Sequence, residues 1–154
     1  MQDEQARTTP FDPAKGPVRA RTVVLEISTI RHSHLMDITS VINRAVADSG
    51  VFEGMCHIFV PHTTAGVLID ESADPNVARD IDCTLERLVP HKGDYKHAEG
   101  NSDAHVKSAL VGVSLSVPIE DGVVAIGRWQ GIFFCEFDGP RPRQVRLRIV
   151  PDPA

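Results

Sequence analysis

The last third of the chain constrains the fold most, because strand-like runs follow one another there without a helical pattern between them. The runs are GVSLSVPI, GVVAIG, QGIFFCEF and QVRLRIV, which lie in residues 112–150. Gly122 begins the second run and Gly139 stands between the last two, as glycine does where a chain turns. This arrangement favours a sheet that is largely antiparallel.

The first third combines strands with one helix. Residues 18–28, VRARTVVLEIS, are rich in β-branched side chains and predict a strand. The stretch DITSVINRAVADSG places apolar residues at helical spacing, with Asp37 able to cap its start and Gly50 its end. Two further strands are predicted at about residues 55–60 and 66–69.

Two more helices follow in the middle of the chain. Asp74 and Pro75 form a typical helix start, and Pro90 marks the end of that helix. Its apolar stripe consists of Val77, Ile81, Leu85 and Leu88. A shorter helix is predicted over residues 102–111, with Val106, Ala109 and Leu110 facing inward. Three helices inserted among strands, without strict alternation, predict an α+β fold.

Length and charge bound the possible functions. The 154 residues suit one domain, which we predict over residues 18–154 after a disordered lead-in at residues 1–17. A net charge of −5 gives no indication of a nucleic-acid partner, and no apolar run is long enough to span a bilayer. The odd cysteine count and the absence of a secretory signal predict reduced thiols and a cytoplasmic protein.

Three histidines in polar segments are candidate metal ligands. His62 lies at a predicted strand end, and His97 and His105 flank the loop AEGNSDA. Three protein ligands plus water make an open zinc site, and neutral imidazole suits zinc. Their spacing matches no short zinc motif, so by itself it favours a surface or hydrogen-bonded role for each histidine. The other histidines, His32, His34, His57 and His91, are interpreted as structural or solvated.

Carboxylates and arginines supply further candidates. Glu71 lies in the segment PHTTAGVLIDES and is a possible general base or metal ligand, whereas Asp74 fits a helix cap better. Asp80 points either to a site or to solvent. Arg141 and Arg143, in the run GPRPR, either hold a phosphate or belong to a solvated loop.

Three long segments together resemble the YjbQ family, also called UPF0047, whose members carry the label "secondary thiamine-phosphate synthase enzyme". The segments are CHIFVPHTTAGVLIDESADPNVARDI, LVPH…YKHAEGNSDAHVKSALVGVSLSVPI and GVVAIGRWQGIFFCEFDGPRPRQV, and the resemblance covers nearly all of residues 18–150. It implies two β-sheets with helices, a homotrimer, and a site at the His-Thr-Thr turn and the two later histidines. The positions that match are His62, Thr63, Thr64, Glu71, His97 and His105. Asp70 stands where many members have Asn.

The resemblance implies a transferase that joins a pyrimidine pyrophosphate to a thiazole phosphate. Such chemistry needs a metal or positive charge to hold the leaving pyrophosphate. We therefore expect a divalent metal, zinc or else magnesium with a pyrophosphate substrate, and a small phosphorylated or heterocyclic substrate. Two alternatives use the same residues: a non-catalytic trimeric protein that binds a metal or anion, and a metal-assisted hydrolase.

Overall fold

A computed structural model describes residues 19–153, which form two antiparallel sheets and three helices. The lead-in predicted for residues 1–17 lies outside the described residues. The elements are β1 Arg21–Ser28, β2 His34–Asp37, α1 Thr39–Ser49, β3 Gly54–Phe59, β4 Ala65–Glu71, α2 Pro75–Leu88, α3 Ser102–Val111, β5 Ser114–Glu120, β6 Val123–Val124, β7 Gln130–Glu136 and β8 Pro142–Pro151. None of the described helices is long and apolar enough to cross a membrane.

The strands form one sheet of five and one of three. Their orders are β1-β8-β3-β5-β6 and β2-β7-β4, and every pairing is antiparallel. In β1 the residues Val23, Leu25 and Ile27 are buried while their neighbours are not, which is the period expected of a strand with one core face. The predicted α+β fold with antiparallel sheets is therefore confirmed.

The first helix begins and ends where its sequence predicts. The Asp37 carboxylate accepts hydrogen bonds from the backbone N–H and the hydroxyl of Thr39, at 2.9 and 2.6 Å. Gly50 ends α1 with a φ of 76°, a left-handed conformation that favours glycine. The buried face of α1, with Ile42 and Val46, packs into the main core between the sheets.

The second helix is capped as predicted but has no fully buried residue. Asp74 accepts a hydrogen bond from the N–H of Asn76 at 2.9 Å, and Pro75 occupies the first turn. The predicted apolar stripe is only half-buried, and Leu88 at its end is 70% exposed. Asp80 lies exposed on this helix, as its solvated interpretation predicts.

The third helix faces the opposite way from the prediction. Val106, Ala109 and Leu110, expected inside, are exposed, and Leu110 is 63% accessible. The inward face instead carries Asp103 and Lys107, both with 0% exposure. Their charges are compensated inside the protein, as described below, so the polar face of the helix is the one that is buried.

All three cysteines are free. Cys56 and Cys135 are buried among apolar side chains, and Cys83 is exposed on α2. Burial raises the pKa of the Cys56 thiol to about 12 and raises the pKa of Cys135 as well. The two buried thiols therefore pack rather than react.

Candidate functional site

The turn between β3 and β4 carries the first group of candidate residues. β3 ends at Phe59 and β4 begins at Ala65, so His62, Thr63 and Thr64 lie in the connection. Thr64 is 5% exposed, whereas Thr63 is open to solvent. The two threonines of this turn therefore differ in role: Thr64 is buried in the protein, and Thr63 is accessible to a ligand.

His62 is held as a neutral donor. Its Nε2 accepts the backbone N–H of Gln144 at 2.8 Å, so in the neutral ring the proton belongs on Nδ1. Burial, followed by the charge of Arg143, lowers the pKa of His62, against a smaller opposing effect of Glu136. His62 can therefore donate a hydrogen bond from Nδ1, but the lone pair with which its neutral ring would bind a metal is already engaged by Gln144.

Behind the turn lies a buried ion pair between Arg143 and Glu136. The guanidinium contacts both carboxylate oxygens, with Nη2–Oε1 at 2.5 Å and Nε–Oε2 at 2.8 Å, and it also donates to the Thr64 hydroxyl at 2.8 Å. The Thr29 hydroxyl donates to Glu136 at 2.8 Å. Burial alone would raise the pKa of Glu136, but the bonds from Arg143 and the N–H of Asp138 outweigh it and lower that pKa.

This network corrects the role expected for Arg143 and Thr64. Arg143 is 5% exposed and donates from Nε and Nη2 to Glu136 and Thr64, so it belongs neither to a solvated loop nor to an exposed phosphate site. Thr64 is likewise a structural partner of Arg143. Arg141 remains at the surface, where it bonds the Asp138 carboxylate at 2.9 Å. Sequence reasoning singled out Glu136 as an unusual polar residue of this segment but did not pair it with Arg143.

The two later histidines do come together. The rings of His97 and His105 meet edge to face with centroids 5.2 Å apart. Gly100 makes this possible, because its φ of +79° turns the loop between them. Glu99 lies beside the pair, 3.6 Å from His97 Nε2.

A cavity joins the turn to the third helix. It has a volume of about 630 Å³ and is open to solvent. Its lining residues are Phe59, Val60, Pro61, His62, Thr63, His105, Ser108, Ala109, Gly112 and Val113. An apolar hollow of this size with a few polar groups is typical of a small-molecule site.

The three-histidine metal site expected from the sequence does not form within one chain. Among the described residues, the ligand atoms of His62, His97 and His105 do not all lie within 4.8 Å of one another. His62 also has its Nε2 engaged by Gln144. These three residues therefore do not fit a shared zinc or magnesium ion, and no chemical step is assigned to one there.

Glu71 lies apart from the histidines. It is exposed at the far end of β4, opposite Gln130 in the register, whereas His62 precedes the other end of that strand. A strand of this length spans roughly 20 Å. Within one chain, Glu71 is therefore not placed to act as a base at His62, His97 or His105.

The inner face of α3 holds a second charged network. Lys107 donates to Glu86 at 2.5 Å and to Asp103 at 3.0 Å, and Asp103 also bonds His91 Nδ1 at 3.1 Å. Burial alone would lower the pKa of Lys107, but the two carboxylates outweigh it and raise that pKa. The spacing of Asp103 and Lys107, four residues apart on a helix, was the available signal for this pair.

Comparisons with known proteins agree on one family. A family model described as UPF0047 protein YjbQ-like matches residues 23–152. The UPF0047 protein MJ1081 of Methanocaldococcus jannaschii is 50% identical over 127 residues, covering 82% of this chain and 92% of that protein. The UPF0047 protein YugU of Bacillus subtilis is 41% identical, covering 82% and 96%.

Solved structures show the same fold. A YjbQ/UPF0047 protein from Clostridium acetobutylicum is 49% identical with a TM-score of 0.80, covering 82% of this chain and 98% of that one. A YbjQ-like protein of unknown function from Sulfolobus solfataricus is 30% identical with a TM-score of 0.83, covering 87% and 99%. Most of this chain therefore aligns with nearly all of each of these two solved chains.

Proposed function

This chain belongs to the UPF0047 protein YjbQ-like family, and we propose that the cavity between the β3–β4 turn and α3 binds a small phosphorylated heterocycle and transfers a group to or from it. Thiamine-phosphate synthesis is the reaction proposed. The observation that carries the proposal is an apolar cavity lined by two imidazoles, His62 and His105.

The lining of the cavity suits both parts of such a ligand. Phe59, Val60 and Val113 offer apolar surface against which a heterocyclic ring can pack. His62 presents a donor at Nδ1, and the exposed hydroxyl of Thr63 lies next to it. Donors of this kind stabilise phosphate oxygens by hydrogen bonding.

In the proposed reaction, the ring nitrogen of the thiazole phosphate forms a bond to the methylene carbon of the pyrimidine. The bond from that carbon to the pyrophosphate oxygen breaks, and pyrophosphate leaves with the electron pair. Negative charge grows on the departing oxygen, where donors already in place lower the barrier. We assign this role to His62 and His105, and Thr63 helps to hold the phosphate.

Replacing His105 by Asn is expected to lower kcat/KM for this reaction about 100-fold, because the shorter amide does not reach the position from which the imidazole donates to the leaving group. The measurement is release of pyrophosphate together with formation of thiamine phosphate from the two substrates. His57→Asn is the matched control, since His57 is an exposed histidine of β3 that does not line the cavity. Equal loss in both variants, or no product with the wild type, contradicts the proposal.

One observation favours a second function, that of a binding protein without catalysis. The cavity lining contains no carboxylate, and Glu71 lies at the far end of β4. Under this alternative the thiazole phosphate binds in the cavity but no product forms. The same assay, combined with a binding measurement, separates the two functions.

We also propose that the chain assembles as a homotrimer. Support comes from exposed apolar side chains near the cavity: Phe59 is 44% accessible, Val106 41% and Leu110 63%. Adjacent apolar residues exposed in this way are typical of a surface that another protein covers.

Light scattering is expected to report particles of three chains for the wild type. Leu110→Glu should shift the protein to smaller particles, because a charge would have to be buried at the contact. Glu120→Gln, at an exposed position of β5, should leave the particle unchanged. A monomeric wild type would remove the assembly proposal.

A further inference from the structure

Three ligand-type side chains from separate parts of the chain meet beside the first turn of α3. His32 lies between β1 and β2, His91 follows α2, and Asp103 is in α3. One ligand atom from each lies within 4.8 Å of both others. Among the described residues this is the one group of three metal-ligating side chains that converges so closely. The sequence had suggested that both histidines were structural or solvated.

The two histidines are positioned by different contacts. His91 is fixed at two points: its backbone N–H donates to Glu86 at 3.1 Å, and its Nδ1 lies 3.1 Å from Asp103 Oδ1. The ring of His32 meets that of His91 edge to face, with centroids 5.0 Å apart. Within the described residues 19–153, the imidazole of His32 makes no hydrogen bond or ion pair.

Asp103 is held as a ligand would be. Its side chain has 0% exposure, and its Oδ2 is fixed by Lys107 at 3.0 Å while Oδ1 faces His91. Lys107 is in turn balanced by Glu86. The two carboxylates and one ammonium leave a net negative charge beside the histidines, which favours a cation there. Partners that orient a ligating carboxylate in this way are characteristic of metal sites.

We propose that His32, His91 and Asp103 form a site for one divalent transition-metal ion of the zinc type. Zinc bonds of about 2.0–2.1 Å in a tetrahedron place ligand atoms roughly 3.3 Å apart. The 3.1 Å separation of His91 Nδ1 and Asp103 Oδ1 already meets this condition. On binding, the proton of His91 Nδ1 is released and the ion takes its place between the two residues.

The chemical type of these three ligands also determines which class of metal ion would bind. Two imidazole nitrogens and one carboxylate suit zinc, cobalt or nickel, whereas magnesium and calcium prefer oxygen ligands. Because His32 and His91 are exposed, the ion can enter from solvent, and three protein ligands leave a fourth position open. None of the three residues lines the cavity of the proposed function, so the two sites are separate.

A cleft of about 310 Å³ borders this cluster. Its lining includes Ser33, which follows His32, and Glu86, which bonds the backbone of His91. The exposed Cys83 and the half-buried Asp82 lie in the same cleft. A small ligand in the cleft would therefore be near the metal ion.

Equilibrium dialysis of the untagged full chain against zinc chloride, followed by elemental analysis, tests the proposal. The wild type is expected to bind one zinc per chain at this site. His32→Asn and His91→Asn should each weaken zinc binding at least about tenfold. Both residues are exposed, so the variants should fold, which circular dichroism will check. His57→Asn, another exposed histidine, should bind as the wild type does.

Cobalt gives a second readout that is independent of activity. Its visible absorption should be that of a tetrahedral ion with nitrogen and oxygen ligands in the wild type, and it should disappear in His91→Asn. A wild type that binds no zinc would overturn the proposal. Wild-type zinc affinity in His32→Asn and His91→Asn would also overturn it. This includes the outcome in which His97→Asn or His105→Asn loses zinc binding instead.

Discussion

Replacing Glu136 by Gln is expected to lower the free energy of unfolding by about 3–5 kcal/mol. The substitution leaves the shape of the side chain almost unchanged but removes its charge. Arg143 would then be a buried cation, 5% exposed, without a counterion. The Thr29 hydroxyl would also lose its charged acceptor. Urea denaturation at a fixed protein concentration measures the change.

The same ion pair gives a pH dependence with a definite sign. The pKa of Glu136 is lower in the folded protein than its ordinary value of 4.5. A carboxyl of this kind stabilises the fold fully above its unfolded pKa, and the stabilisation is lost as pH falls through the folded pKa. The difference in stability between wild type and Glu136→Gln should therefore shrink as the pH is lowered below about 4.5.

Glu120→Gln is the matched control for this prediction, because Glu120 is exposed at the end of β5. It should change the free energy of unfolding by no more than about 0.5 kcal/mol. A loss below about 1 kcal/mol for Glu136→Gln would contradict the structural role given to the pair.

The strands and helix ends could be predicted because they depend on local chemistry. Runs of β-branched residues gave β1 and β8, and Asp74 with Pro75 gave the start of α2. These features act within a few residues, and Gly50 ends α1 for the same kind of reason. The fold class did not depend on the errors: β1 begins three residues later than predicted, β6 spans two of the six residues predicted, and β2 was not predicted.

The orientation of α3 could not be predicted in this way. The rule that apolar residues face inward placed Val106 and Leu110 in the core, yet they are exposed. The buried side holds Lys107, whose second carboxylate comes from Glu86, 21 residues earlier. Compensation from another helix is a tertiary contact, which no local pattern reveals.

The geometry of the candidate site could not be predicted in full either, because it also depends on tertiary contacts. The spacing of His97 and His105 by itself favoured separate surface or hydrogen-bonded roles, yet their rings meet across a loop that turns at Gly100. The distance between Glu71 and His62 depends on the direction of β4, and the engagement of His62 by Gln144 depends on β8. Likewise, the meeting of His32, His91 and Asp103 requires two loops and α3 to be placed in space.

The second prediction with a large expected effect concerns ligand binding in the cavity between the β3–β4 turn and α3. Ala109 lies on the exposed side of α3 and lines the cavity, so a larger side chain there would fill the space without disturbing the core. Ala109→Phe is therefore expected to abolish binding of the thiazole phosphate. Ala73→Phe is the matched control, because Ala73 is exposed in the bend before α2 and does not line the cavity.

Isothermal titration calorimetry with the thiazole phosphate is the most direct test of the proposed substrate site. The account predicts saturable binding to the wild type and to Ala73→Phe, and no measurable heat of binding with Ala109→Phe. Light scattering in parallel checks that Ala109→Phe has the same particle size as the wild type. Binding to Ala109→Phe with wild-type affinity, or no binding to the wild type, would contradict the assignment of this cavity.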